Sequence, residues 1–214
     1  VGVILIMAST NNKRKNVGAV LVGFAILMFG MDVMKDAMAP LADMPQFTHI
    51  LTAFTNPILG VAVGTIVTAI IQSSAASIGI LQALSMVGGM TYAMAIPIIM
   101  GQNIGTCASA MLSSIGVNTN AKRVAAVHVL FNIIGVIICL SIFEAGHALL
   151  NFKFASNNIT PFGIATVHSI FNIVTTILLF PFTKLLEKMA IRLVPDKKQT
   201  NKNVLLDERL LLAP

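Results

Sequence analysis

Long apolar stretches separated by short polar ones dominate this sequence of 214 residues. From Met44 to Ala121 the chain contains no Asp, Glu, Lys or Arg. A membrane-spanning helix needs about 20 apolar residues, so this stretch alone has room for several membrane segments. The pattern therefore predicts an all-α protein embedded in a lipid bilayer.

Four stretches are long enough to cross the membrane. They are residues 17–39, 92–115, 124–143 and 161–182. Between the first two, an apolar piece at 47–71 precedes a polar patch at 72–77 and a second apolar piece at 78–87. That second piece has about ten residues, which is too short to span a bilayer. The three pieces are therefore predicted to form a re-entrant hairpin with the polar patch at its tip.

Charged residues make up only 10% of the chain, against roughly 25% in soluble domains. So few charges exclude an ordinary soluble enzyme. The net charge of +6 does not indicate nucleic-acid binding, because the basic residues cluster as they do in cytoplasmic loops. These clusters are Lys13 to Lys15, Lys122 with Arg123, and the tail from Lys184 onward. Four crossings and one hairpin then place Asp43 and Lys153 outside the cell.

Two polar patches inside apolar stretches are candidate binding sites. Gln72, Ser73 and Ser74 lie at the predicted hairpin tip, and Gly-Gln-Asn-Ile-Gly-Thr occupies residues 101–106. A helix break at such a patch offers carbonyl groups to a cation and N–H groups to an anion. Two breaks in consecutive segments are typical of a transporter site at mid-membrane. Packing between helices is the alternative for each patch, and it is the favoured interpretation of the Gly60 to Gly64 spacing.

Two further segments each carry a His and an Asn four residues apart, His128 with Asn132 and His168 with Asn172. Side chains at this spacing share one helix face. We interpret them as polar support between helices, and ligand binding or a proton relay is the alternative. No metal-ligand cluster or enzyme motif accompanies them in the sequence, so we expect a protein that is not an enzyme.

Three segments together resemble a known family. They are Asn56-Pro-Ile-Leu-Gly, residues 68–76 with Gln72-Ser-Ser, and the Asn103-Ile-Gly-Thr run. Their combination is similar to the sodium/phosphate cotransporters, namely the type II cotransporters and their bacterial relatives. The resemblance implies one half of an inverted-repeat secondary transporter, the C-terminal repeat, with a re-entrant hairpin and a broken transmembrane helix.

The resemblance also implies a ligand set. Phosphate would be bound by Gln72, Ser73, Ser74, Asn103, Gly105 and Thr106, and sodium by Gln72, Ser73, Ser74 and Thr68. Ala75 and Cys107 depart from the usual family pattern, in which a serine and a threonine occupy these positions. No cofactor other than sodium as the coupling ion is implied.

The expected organisation follows from the same resemblance. Residues 1–187 form the membrane repeat, and residues 188–214 form a basic cytoplasmic linker towards a PhoU-like domain. The chain is expected to be part of a longer multi-pass protein of the plasma membrane, the inner membrane of a bacterium. Its partners would be the N-terminal repeat and the PhoU-like domain, and a homo-oligomer is left open. The alternatives are a membrane phosphate sensor, a transporter of another small anion, or a structural fragment without a site.

Overall fold

A computed structural model of the chain describes residues 1–38, 40 and 54–196. Helices dominate this part, and extended pairing is limited there to one bridge between Thr91 and Asn158, which confirms the all-α prediction. The α-helices are α1 (Gly2–Ala8), α2 (Asn12–Met38), α3 (Pro57–Ile71), α4 (Ser74–Val87), α5 (Tyr92–Ser113), α6 (Thr119–Leu150), α7 (Pro161–Leu179) and α8 (Thr183–Leu193). Short 3-10 helices occupy Lys153–Ser156 and Phe180–Phe182.

The lengths of the helices agree with the predicted arrangement of crossings. Four segments are long and apolar enough to span a membrane, namely Asn12–Met34, Tyr92–Ser113, Thr119–Leu150 and Pro161–Leu193. The helices α3 and α4 have 15 and 14 residues, which at 1.5 Å per residue is about 22 and 21 Å. Neither reaches across a hydrocarbon core of about 30 Å. The pair is therefore a helix-turn-helix hairpin of re-entrant dimensions.

Capping residues explain where several helices begin. Asn56 accepts hydrogen bonds from the N–H groups of Ile58 and Leu59, and Pro57 follows it as the first helical residue. Thr160 caps α7 in the same way, with Pro161 next. An Asn or Thr cap followed by proline favours a helix start, because proline lacks the N–H that would otherwise be unsatisfied. The start of the hairpin and the start of the last crossing are thus encoded locally.

Two predicted boundaries differ from the structure, and a third is not tested by it. Lys13 to Lys15 were expected in a loop before the crossing at residue 17, but α2 begins at Asn12 and includes them. The second hairpin helix begins at Ser74, earlier than residue 78, because Ser73 caps it. The last helix runs through position 187 to Leu193, and residues 197–214 lie outside the described part. The division into domains at 187 and 188 therefore stays a prediction.

The expected break at residues 101–106 is wrong, because α5 is continuous from Tyr92 to Ser113. The glycines serve close packing instead. A Cβ atom on Gly101 would collide with the carbonyl oxygen of Val61 on α3, and one on Gly105 would collide with that of Thr65. The break in this part of the chain is therefore in the hairpin, between α3 and α4, at Gln72 and Ser73.

The helix α5 forms the centre of the fold. Its residues from Met94 to Asn103 are buried without exception. One hydrophobic cluster joins α5 to α4 and α7, and includes Leu81, Ile99 and Ile164. By contrast, large apolar side chains are exposed on α2 and α7, such as Phe24, which is 60% exposed, and Phe162, which is 81% exposed. Exposed apolar faces of this extent suit contact with lipid.

The two ends of the helix bundle agree with the predicted placement of Lys153 on the side opposite the basic loop at Lys122 and the basic tail. At one end, Arg123 donates a hydrogen bond to the carbonyl of Val194 at 3.0 Å and forms an ion pair with Asp196 at 3.1 Å. At the other end, the residues before α5 meet the loop that follows α6, with the N–H of Ile159 bonded to the carbonyl of Met90 at 2.9 Å. The basic loop and the tail thus share one end, opposite Lys153. Asp43 lies outside the described residues.

This arrangement predicts which positions a membrane-impermeant reagent reaches. A cysteine in place of Lys153 is expected to react from outside intact cells, because its loop lies at the end opposite the basic clusters. Lys188→Cys, on α8, is the matched control and should react only after the cytoplasmic face is opened. The reverse pattern of labelling would contradict the topology.

Candidate functional site

The hairpin tip is formed by two residues between α3 and α4. Gln72 ends α3 in the left-handed conformation, with φ of 57°, and its N–H donates to the carbonyl of Thr68 at 2.8 Å. Ser73 is extended and caps α4, with its hydroxyl oxygen accepting from the N–H of Ala76 at 3.3 Å. Both tip residues are exposed, and Ser74 is half-buried. The predicted Gln-Ser-Ser tip is therefore a real interruption of the helix.

This interruption brings two helix ends of opposite polarity together. The last carbonyl groups of α3 and the first N–H groups of α4 have no partner within their own helices. The end of α3 carries partial negative charge and the start of α4 carries partial positive charge. Neutral polar side chains, those of Gln72, Ser73 and Ser74, surround this point. The tip can accordingly offer oxygen atoms to a cation and N–H groups to an anion.

A buried polar cluster lies directly beneath the tip. The hydroxyl groups of Thr68 on α3 and Ser77 on α4 are 2.7 Å apart. The Nε2 atom of Gln102 on α5 donates to the carbonyl of Ser77 at 3.1 Å and to its hydroxyl oxygen at 2.9 Å. The exposed fractions of Thr68, Ser77 and Gln102 are 0%, 1% and 4%. The cluster therefore joins both hairpin helices to the central crossing.

The other predicted phosphate ligands bond within their own helix or serve packing. The Nδ2 atom of Asn103 donates to the carbonyl of Ile99 at 3.0 Å, and the hydroxyl of Thr106 donates to the carbonyl of Gln102 at 2.9 Å. Gly105 lies against Thr65 and Thr68 of α3. The structure places Gly105 beneath the tip but gives Asn103 and Thr106 no hydrogen bond to the tip residues. Their role as ligands stays a prediction.

The two His and Asn pairs differ in what they contact. The Nδ2 atom of Asn132 donates to the carbonyl of His128 at 3.0 Å and lies 3.4 Å from the sulfur of Cys107 on α5. The Nδ2 atom of Asn172 donates to the carbonyl of His168 at 2.8 Å, which is a contact within α7. The first pair thus contributes a polar contact between α5 and α6, as the support interpretation requires. No cluster that could hold a metal ion occurs among residues 1–38, 40 and 54–196.

Sequence reasoning did not select two residues that the structure brings to the site. Ser77 was placed at the tip but not among the ligands, and Gln102 lay inside the predicted break without a role. Thr68, by contrast, was selected, and it lies beneath the tip with its hydroxyl bonded to Ser77. A glutamine in the middle of an apolar crossing is itself a signal, since its amide must find partners away from water.

The sequence profile described as Na+/Pi-cotransporter matches residues 26–167, a region that includes the hairpin and α5. The chain is 27% identical over 201 residues to the uncharacterized protein YqeW of Bacillus subtilis (strain 168), covering 92% of this chain and 64% of that protein. It is 30% identical over 178 residues to the sodium-dependent phosphate transport protein 2B of Homo sapiens, covering 77% and 23%.

A third relative is YjbB of Salmonella typhimurium, provisionally named an inorganic phosphate export protein, which is 24% identical over 200 residues, covering 93% of this chain and 36% of that protein. The chain thus spans less than two thirds of the length of each of these relatives. No solved structure matches it with significance. Because the profile covers more than half of the sequence, the chain belongs to the Na+/Pi-cotransporter family and is a multi-pass membrane protein.

Proposed function

We propose that the protein transports inorganic phosphate together with sodium, and that the tip of the α3–α4 hairpin contributes to binding both. The observation that carries this proposal is the exposed junction at Gln72 and Ser73, where two helix ends of opposite polarity meet. Family membership and the name of the human relative support phosphate and sodium as the transported pair. The geometry of the junction is independent of family membership.

Phosphate suits the start of α4. Free N–H groups and the positive end of the helix dipole favour a multiply charged anion with several oxygen acceptors. The hydroxyl groups of Ser73 and Ser74 add donors that such an anion can use. No lysine or arginine is needed, and none occurs from residue 44 to residue 121. Without a fixed positive charge from this stretch, the anion is not held too tightly to be released.

Sodium suits the end of α3. The final carbonyl groups of that helix and the amide oxygen of Gln72 are neutral oxygen ligands, and half-helix C-terminal ends coordinate sodium in other transporters with broken helices. A cation bound there would also offset the charge of phosphate at the start of α4. Coupling then follows from electrostatics, because each ion lowers the cost of binding the other.

One hairpin supplies half of such a site. Transporters built from inverted repeats place the substrate at the interface of both repeats, and the resemblance assigns this chain to one of them. The remaining ligands are therefore expected from the other repeat. A PhoU-like partner domain is part of the same proposal, and a homo-oligomer is compatible with it.

The test is a measurement of phosphate flux in proteoliposomes that contain the full-length protein. Radiolabelled phosphate uptake is expected to require an inward sodium gradient and to vanish when potassium replaces sodium. Reversing the gradient should drive efflux, which also addresses the export suggested by the name of the Salmonella relative. Flux without sodium dependence would contradict the coupling. Specific phosphate binding without flux would support the sensor instead, and competition by sulfate at equal concentration would indicate a different anion.

A further inference from the structure

We infer that Gln102 is a positioning residue that sets the geometry of the hairpin tip through Ser77 and Thr68. This inference rests on the proposed function for its transport readout, but its structural basis is independent of it. The side chain of Gln102 comes from α5, the central crossing, and bonds to Ser77 on α4. The Ser77 hydroxyl is in turn bonded to that of Thr68 on α3. Gln102 touches neither tip residue directly, so its effect must pass through the buried hydroxyl groups.

The first step is the orientation of the Gln102 amide. The carbonyl oxygen of Ser77 can only accept a hydrogen bond, so the atom that faces it at 3.1 Å must be the NH₂ nitrogen. The same nitrogen also donates to the Ser77 hydroxyl at 2.9 Å. These two bonds fix the register of α4 against α5, since sliding α4 by one residue would break both of them.

The second step connects this anchor to the tip. Ser77 donates its own N–H to the carbonyl of Ser73 at 3.0 Å, and the carbonyl of Thr68 accepts the N–H of Gln72 at 2.8 Å. The two buried residues are thus each one backbone hydrogen bond away from the two tip residues. Their hydroxyl groups are in turn bonded to each other at 2.7 Å. A displacement of Gln102 therefore reaches both sides of the break.

The third step concerns the amide oxygen of Gln102, which the contacts with Ser77 do not use. The Oε1 atom of Gln102 is buried and has no hydrogen-bond partner among the described residues. A buried acceptor without a partner is costly, so a residue whose only task was packing would be better served by an apolar side chain. The NH₂ group is accordingly the part of the side chain that the site uses, and the geometry of the tip is what it maintains.

A matched pair of variants separates positioning from general stability. Gln102→Met keeps the length of the side chain and removes the amide. Gln82→Met is the control, because the Nε2 atom of Gln82 makes a comparable bond between helices, to the carbonyl of Pro161 at 3.0 Å. Both variants remove one amide anchor from the hairpin region, but only Gln102 is linked to the tip.

The experiment uses the native protein in proteoliposomes and has two readouts. The first is the concentration of phosphate and of sodium that gives half-maximal uptake. We expect Gln102→Met to raise at least one of them about tenfold, with Gln82→Met close to the unmodified protein. Thr68→Val should resemble Gln102→Met, whereas Thr68→Ser, which keeps the hydroxyl, should restore nearly normal values. Equal shifts for Gln102→Met and Gln82→Met, or no shift in either, would overturn the inference.

The second readout does not depend on transport. The alkylation rate of a Ser73→Cys tip by a maleimide reports the exposure of the tip itself. Adding Gln102→Met is expected to change this rate several-fold, and adding Gln82→Met is not. If the unmodified protein moves no phosphate, the proposed function fails while this measurement still tests the positioning role. An alkylation rate that is unaffected by Gln102→Met would reject that role even in an active transporter.

Discussion

Alanine in place of Gly101 or Gly64 is expected to destabilise the protein strongly, although each change adds one methyl group. The added Cβ at Gly101 would collide with the backbone carbonyl of Val61, and the one at Gly64 with that of Ile98. Overpacking of a well-packed contact costs about 1–3 kcal/mol. Because the obstructing atoms belong to helix backbones, which cannot rotate away, the upper end of that range applies. The apparent melting temperature in detergent should fall by about 5–10 °C.

Other glycines of the same chain provide the control. A Cβ atom on Gly23 or Gly30 of α2 would meet nothing within 4 Å. Alanine favours a helix over glycine by about 1 kcal/mol, so Gly23→Ala and Gly30→Ala should leave the melting temperature unchanged or raise it slightly. The apparent melting temperatures of all four variants can be measured by heating each sample and then quantifying the folded fraction by size-exclusion chromatography. If the two pairs behaved alike, close approach of α3 and α5 would not be what requires glycine at positions 64 and 101.

The sequence was sufficient to predict the layout of the helices. Segment length separates crossings from the hairpin, because a helix of 14 residues such as α4 cannot span the hydrocarbon core. The position of the tip followed from Gln72 and its serines, since polar groups in an apolar stretch need an exceptional environment. The charge clusters predicted which loops lie on the same side of the membrane, and the ion pair of Arg123 with Asp196 agrees with that prediction. Each of these signals is local, and local signals can be seen in a sequence.

The role of residues 101–106 was not predictable in the same way. Glycine allows unusual backbone angles, but it also allows two helices to approach closely. Which of these applies at Gly101 depends on whether another backbone lies opposite, and the sequence does not show that α3 does. The Gly60 to Gly64 spacing was correctly interpreted as packing, yet nothing in the sequence identified its partner as the backbone of α5 from Pro97 to Gln102. Gln102 was missed for the same reason, because its partner Ser77 is 25 positions away.

At the hairpin tip, Ser74→Ala is expected to weaken activation by phosphate or sodium about 5- to 150-fold. The Ser74 hydroxyl has no hydrogen-bond partner among the described residues, so it is available for a ligand. Removing it would leave the ligand oxygen without that donor, a loss of roughly 1–3 kcal/mol. Ser73→Ala should have a similar effect on activation. It also removes the cap on the Ala76 N–H, which adds about 1 kcal/mol of instability.

The two serines therefore need different controls, and Ala75 supplies a third comparison. Ser73→Asn retains a capping oxygen, so any activation defect that remains in this variant reflects the ligand rather than the helix.

Ala75 is exposed, and Ala75→Ser should be mild or strengthen the dependence on sodium, since it adds a hydroxyl beside the others without crowding. If the tip served only packing, Ser74→Ala and Ala75→Ser would both be nearly neutral, because the first removes an unbonded hydroxyl and the second adds one at an exposed position. Sodium and phosphate titrations of uptake, with expression level as a check on folding, distinguish these outcomes. Unchanged half-activation concentrations in Ser74→Ala and Ser73→Ala would mean that the tip does not bind the transported ions.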